Sequence, residues 1–302
     1  MSPLHVLVGG ASGFLGTHLV DHLRSRGHQV TRLVRRPTTR DDEVQWDPDV
    51  LHLPSHALDE VDVVVNLGGS PLVGNPHSRA WSERLLSSRV ATTRTVSEAI
   101  AERAERGASL PALLAGNGIS GYGDHGDQPV AEDTTPHGDS LLSRVAHAWE
   151  DATAPARDAG ARVCVLRTAV VLDRATLPFK ALRPLHRAGL GAVMGTGEQY
   201  FPVVSRRDWV GAATFLAEHS SAEGAFNLVC PEVPTYRQLA RALSAGRPLL
   251  VRVPGAVIRP LAGPMAPELL NSVRAVPAAL TRTGYTFTDV DVDAVVSAAL
   301  RG

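Results

Sequence analysis

Leu4-His5-Val6-Leu7-Val8-Gly9-Gly10-Ala11-Ser12-Gly13-Phe14-Leu15-Gly16 is the stretch that decides the fold. Leu4 to Val8 is a short apolar run closed by glycines, the pattern of a strand buried on both faces of a parallel sheet. Phe14, Leu15, Leu19, Val20 and Leu23 then recur on one face at helical spacing, and Gly27 ends the helix. Glycines spaced three apart between a strand and a helix make a backbone cradle. Gly10 permits the tight turn. Gly13 lets N–H groups approach a ligand with no Cβ in the way, and Gly16 lets the helix lie close on the strand. The helix start adds unpaired N–H donors and the positive end of a dipole. Gly10, Ala11, Ser12, Gly13, Phe14 and Leu15 are therefore the expected seat of a dinucleotide pyrophosphate.

Working outward, a second strand is expected over Val30 to Val34, and it runs into Arg35 and Arg36. An acidic residue roughly 20 residues past the glycines would hold the ribose 2′-hydroxyl of NAD, whereas arginine pairs with a 2′-phosphate. Arg35, with Arg36 in support, points to NADP(H). Strand-like runs recur at Val61 to Leu67, Leu110 to Ala115, Val163 to Leu166 and Phe226 to Val229, and helical stretches at about 78–105, 140–159 and 208–219. This alternation predicts an α/β, Rossmann-type doubly wound parallel sheet. Beyond about Val170 the pattern loosens into Pro- and Gly-rich segments, including turns over Gly189 to Gly197. We expect a dinucleotide domain over 1–170 and a small C-terminal α/β substrate lobe over 171–302, part of which completes the sheet.

The bulk composition excludes several classes. The chain has 302 residues, of which 44% are hydrophobic, enough for a sizeable core. Its 30 basic residues are matched by 31 acidic ones and scattered, so nothing points to nucleic acid or an anionic membrane. Cys164 and Cys230 are the two cysteines, each in an apolar run, and read as buried small hydrophobes and not as a disulfide or metal framework. No secretory leader and no apolar stretch long enough to span a bilayer is seen, so the expected setting is cytoplasmic. Asp124, His125 and Asp127 crowd one loop, but a flexible glycine and the lack of further ligands argue against a metal.

Several further motifs occur in order: Val44-Gln45-Trp46-Asp47-Pro48, Asn66-Leu67-Gly68-Gly69, Trp81 with Ser88-Arg89 and Thr93-Arg94, Gly121-Tyr122-Gly123-Asp124, Ala148-Trp149-Glu150 and Leu166-Arg167-Thr168. With Met265 to Leu270, Val276-Pro277 and Gly284-Tyr285-Thr286-Phe287, they resemble the atypical extended short-chain dehydrogenase/reductases called NAD(P)-dependent epimerase family proteins, which end in a small domain of unknown function. The resemblance spans essentially the whole chain. It implies that Leu67, Gly68 and Gly69 lie along the adenosine ribose and pyrophosphate, that Trp46 and Asp47 approach the adenine, and that Arg167 and Thr168 open the loop near the nicotinamide. It also implies a pocket between the sheet and the C-terminal lobe, with Gln199 to Phe201 and Ser205 to Asp208 as its candidate rim. By fold analogy, the helix over 78–105 is a candidate homodimer interface.

The usual proton-transfer residues of that superfamily are a Ser or Thr, and a Tyr-x-x-x-Lys pair whose spacing puts both on one helix face. Aligned on Trp149-Glu150, the tyrosine position is Leu142 and the lysine position Ala146. The serine position is Gly118. The polar groups remaining nearby are Ser120 and Tyr122, Asp124, His125 and Asp127 on the loop that follows, and Ser143, Arg144 and His147 on the helix; we take Ser120 and Tyr122 as the expected catalytic groups. The reading is an NADP(H)-dependent oxidoreductase or epimerase-like enzyme for a small organic substrate. A non-redox isomerase or cyclase on the same scaffold, and an NADPH-sensing regulatory protein, are the alternatives.

Overall fold

Strand and helix alternate into one parallel sheet in a computed structural model, which describes residues 2–188, 191–245, 247–249 and 251–301. Seven strands form it: β1 (His5–Gly9), β2 (Gln29–Val34), β3 (Glu43–Gln45), β4 (Val63–Asn66), β5 (Ala112–Gly118), β6 (Val163–Thr168) and β7 (Gly224–Leu228). They lie in the order β7-β6-β5-β4-β1-β2-β3, and every neighbouring pair is parallel. The winding direction reverses between β1 and β4, which opens a crevice at their carboxyl ends. Register places Gly9 opposite Asn66, so the glycine turn stands beside the loop after β4.

Side chains alternate across β1. Val6 and Val8 enter a core with Leu19 and Leu23 of α1 (Phe14–Ser25), and with Trp209 and Leu216 of α4 (Arg206–Glu218). Leu7 enters the opposite core with Val64, Leu113 and Val165, against Val96 and Ile100 of α2 (Arg79–Glu105). Both faces of the sheet are thus covered, as its continuous apolar strands require. The helix expected over 140–159 ends early. α3 (Leu141–Asp151) stops at Ala152, and a separate short helix runs over Ala154–Asp158. Pro155 has no N–H to continue the ladder, and its ring crowds the carbonyl four residues back. β3 was not expected at all: three residues are too short to show a period.

β7 and α4 come from beyond residue 170 and complete the sheet. The rest of that half makes a small lobe of two-stranded pairings, among them Val170–Leu172 with Val203–Ser205 and Ala192–Met194 with Val251–Val253. Its core gathers Leu172, Phe179 and Cys230 with Leu239 of α5 (Tyr236–Ser244) and Val295 of a C-terminal helix over Val292–Arg301. The glycine turns expected from Gly189 open outside the described residues, while Gly195 and Gly197 do adopt positive φ. Cys164 and Cys230 are free and buried, and burial pushes their thiols up to about 11 and about 12. Among the described residues no helix is long and apolar enough to cross a membrane, and no cluster of three or more metal-ligating side chains occurs.

Ser205 to Asp208 do not form the expected rim. Ser205 caps α4 by accepting from Asp208 N at 3.2 Å. The Asp208 carboxylate, 1% exposed, accepts from Thr288 N at 2.9 Å and from Asp289 N at 2.7 Å. Arg207 pairs with Asp289. The segment anchors the C-terminal tail to the sheet because buried N–H groups need acceptors. Replacing Asp208 with Ala strands two of them. We expect a loss of about 3 kcal/mol, read as a fall of several degrees in the thermal midpoint.

Candidate functional site

A cleft of about 840 Å³ begins at Gly10, Gly13, Phe14 and Leu15, passes Leu67 and Asn117, and widens into the C-terminal lobe. The glycines are required by distance. A Cβ on Gly10, whose φ is +74°, would stand 2.6 Å from Leu67 O, and one on Gly16 would stand 2.2 Å from Gly10 O. α1 starts at Gly13 with no side-chain cap and no acidic residue in its first turn. Its first N–H groups therefore have no intrahelical acceptor and no competing carboxylate, which fits a phosphate. Ala11 packs into the core beneath the turn, and Ser12 is exposed at its tip.

At the end of β2 the two arginines part company. Arg35 is exposed and has no ion-pair partner among the described residues. Arg36 is committed elsewhere. Its Nη2 and Nη1 donate to the two carboxylate oxygens of Glu43 at 2.7 and 2.9 Å, and this pairing holds the Glu43 carboxyl down at about 2. Arg36 thus ties β2 to β3. Leu67 lines the cleft, but Gly68 and Gly69 do not. A Cβ on Gly68 would meet Thr92 at 2.9 Å and one on Gly69 would meet Arg89 at 3.0 Å, so these glycines let α2 come close. Trp46, 3% exposed, packs under the sheet, and Asp47 caps the short turn after it by accepting from Asp49 N.

Farther along, Leu142, Val145, Ala146 and Gly118 line the wall where proton-transfer groups were sought. Ser120 is on that wall. Tyr122 is not. Its ring is 1% exposed, and its hydroxyl lies 3.1 Å from Ala131 O and 3.0 Å from Asn227 Oδ1. It accepts from Arg167 Nη1 at 2.8 Å, and burial pushes the phenol further up. Arg167 is likewise engaged within the protein. Its Nη2 donates to Glu150 Oε1 at 3.0 Å and its Nε to Oε2 at 3.2 Å, both within the protein. The loop of Asp124 and His125 is a brace: Asp124 Oδ1 accepts from Ser272 N at 3.1 Å, and the His125 ring stacks on His137. A second hollow of about 760 Å³ lies on the outer side of the lobe and shares only Tyr200 with the cleft.

The pattern of the NAD dependent epimerase/dehydratase family matches residues 6–228. This chain belongs to that family. A domain of unknown function (DUF1731) matches residues 253–299. Epimerase family protein Mb2239 of Mycobacterium bovis is 35% identical over 285 residues, covering 93% of each chain. The crystal structure of human epimerase family protein SDR39U1 (isoform 2) with NADPH is similar at TM-score 0.85 and 29% identity, over 98% of this chain and 99% of that one. The nucleoside-diphosphate sugar epimerase from Corynebacterium glutamicum matches at TM-score 0.78 and 30% identity, over 99% of this chain and 58% of that one.

Against the family's usual proton-transfer set, two cleft residues escaped the motif reading of this epimerase-family chain. Arg89 of α2 is the one cation on the described wall and Glu268 the one carboxyl. Arg89 donates to Leu85 O at 3.1 Å and lies 5.2 Å over the Trp149 ring, with no acidic partner among the described residues. Burial lowers its pKa. Glu268 sits in a one-turn helix, Pro267–Leu270, and lines the cleft. Both stood inside quoted motifs, Ser88-Arg89 and Met265 to Leu270, but nothing local in the sequence says which way they face. This engagement of Arg167 within the protein is testable. Arg167→Met should cost about 3–5 kcal/mol in denaturant unfolding, because it leaves Glu150 and Tyr122 short of a donor. The same variant should bind NADPH within about twofold of the unaltered protein by calorimetry, a difference of about 0.4 kcal/mol.

Proposed function

We propose that this epimerase-family chain is an NADP(H)-dependent oxidoreductase acting on a small, largely apolar organic substrate. The carrying observation is the one continuous cleft, with a bare helix N-terminus at one end and an apolar chamber at the other. The backbone of Gly13, Phe14 and Leu15 would hold the pyrophosphate, and Leu67 would lie along the adenosine side. Arg35, exposed and unpaired beyond β2, would pair with the 2′-phosphate. The human relative solved with NADPH supports the same choice.

When bound, the nicotinamide supplies hydride. The chain's own task is then to exclude water, orient the substrate and manage one proton. Leu142, Val170, Leu172, Phe179, Phe201 and Leu239 surround the chamber, so a sugar or a charged substrate would leave its polar groups unpaired there. Ser120 offers a hydroxyl on this wall. A conjugated or activated carbonyl needs less acid assistance than a plain ketone and suits a site whose usual tyrosine and lysine positions hold Leu142 and Ala146.

Calorimetric titration with NADPH and NADH, beside an Arg35→Asp variant, tests the cofactor reading. A charge-assisted contact contributes roughly 1.5–3 kcal/mol, so NADPH should bind about ten- to a hundredfold more tightly than NADH, and the variant should lose that preference. Equal affinities in the unaltered protein would remove Arg35 from the role, and no binding of either would sink the reading.

A further inference from the structure

We propose that Glu268, carried into the cleft by the C-terminal segment, and Ser120 form the proton-transfer pair of this site, in place of the Tyr and Lys that α3 lacks. The inference rests on the oxidoreductase reading above and gives the C-terminal domain of unknown function a share in the chemistry.

The geometry is a closed ring of oxygens. Ser120 Oγ donates to Glu268 Oε2 at 2.5 Å. Glu268 Oε1 lies 3.2 Å from Ser140 Oγ. Ser140 Oγ lies 2.8 Å from Ser143 Oγ, which donates to Ser120 O at 2.7 Å. Each of these four contacts needs one proton, and three serine hydroxyls supply three. The fourth comes from the carboxyl, so the ring is complete when Glu268 is protonated. Ser120 and Glu268 face the cleft, while Ser143, 1% exposed, closes the ring behind them.

The surroundings agree. Burial raises the pKa of Glu268 against the opposing hydrogen bonds from Ser120 and Ser140. On α3, His147 is turned to Gly121 O at 2.9 Å and Arg144 to Asp139 O at 2.5 Å, while Arg89 of α2 lines the same cleft. Position is enforced from both sides, since Gln199 Nε2 donates to Leu269 O at 3.0 Å and Asp124 accepts from Ser272 N.

In the direction of reduction, a substrate carbonyl oxygen would accept from Ser120 Oγ. With the Ser120 hydrogen turned to the substrate, the carboxyl would carry its proton on Oε2, where Ser120 Oγ accepts it, and Ser140 would turn its hydrogen from Ser143 to Oε1. As the carbonyl carbon gains hydride, the Ser120 proton passes to the carbonyl oxygen and the Glu268 proton passes to Ser120 Oγ. Glu268 is left as a carboxylate held by two hydroxyls and regains its proton from water. The net change is one hydride and one proton added across the C=O bond.

Two measurements on the full chain and its Glu268→Gln variant decide this. The first is the thermal midpoint from about pH 5 to about pH 9. A raised folded-state pKa contributes stability that is full below the unfolded-state value and is lost as pH rises through the folded one. The unaltered protein should therefore lose ground against Glu268→Gln as pH rises, and a difference that stays flat would overturn the protonated carboxyl. The second is NADPH oxidation with cinnamaldehyde and trans-2-nonenal as probes. Glu268→Gln should lower kcat about a hundredfold with KM little changed, and Ser120→Ala similarly. A kcat within about fivefold, a difference of about 1 kcal/mol, would overturn the pair. If the unaltered protein binds NADPH but turns over neither probe, the redox reading fails, and the melting difference alone then decides whether the carboxyl holds its proton.

Discussion

The cleft depends on how closely the first turn of α1 approaches the end of β1. A Cβ on Gly16 would fall 2.2 Å from Gly10 O, so no other residue type allows that approach without moving the helix. The approach brings the unpaired N–H groups of the helix start to the crevice where the sheet changes winding direction. It also sets the loop after β4 against Gly10, with Leu67 as the contact. A dinucleotide cradle and the first wall of the cleft are one packing arrangement.

The other wall is held by acceptors that satisfy backbone N–H groups of the tail. Asp208 accepts from Thr288 N and Asp289 N, and Asp124 from Ser272 N. Glu132 accepts from Asn227 N at 2.9 Å and from Ala279 N at 3.0 Å, which joins β7 to the tail. Each is a carboxylate meeting backbone donors, an interaction that gains strength from exclusion of water. Together they hold Pro267–Leu270 at the mouth of the apolar chamber and give Glu268 a defined place.

Several polar side chains near the cleft are engaged inside the protein. Tyr122, Arg167 and Glu150 form a buried network that fastens the end of β6 to α3 and to the turn after β5. Such a network is costly to break. Arg36 is spent on Glu43 in the same way. Arg89 and Glu268 instead line the cleft and have no ion partner among the described residues. A wall that is otherwise apolar strengthens whatever those two groups do.

The amino-acid sequence by itself determined the parallel sheet, because a run such as Val6 to Val8 closed by glycines and followed by a 3.6-residue repeat has few other folds available. It determined the cradle, since Gly10, Gly13 and Gly16 carry their meaning in their spacing. It also determined that Leu142 and Ala146 leave the usual proton-transfer positions apolar. Short elements such as β3 were illegible, being too brief to show a period, and so was the break before Pro155. Which polar side chain is spent inside the protein and which faces the cleft was decided by tertiary structure alone. Ser120 and Glu268 are 148 residues apart in the chain. Their 2.5 Å contact exists only because backbone donors far from either one pin the tail across the sheet, and no local pattern encodes a contact made at that range.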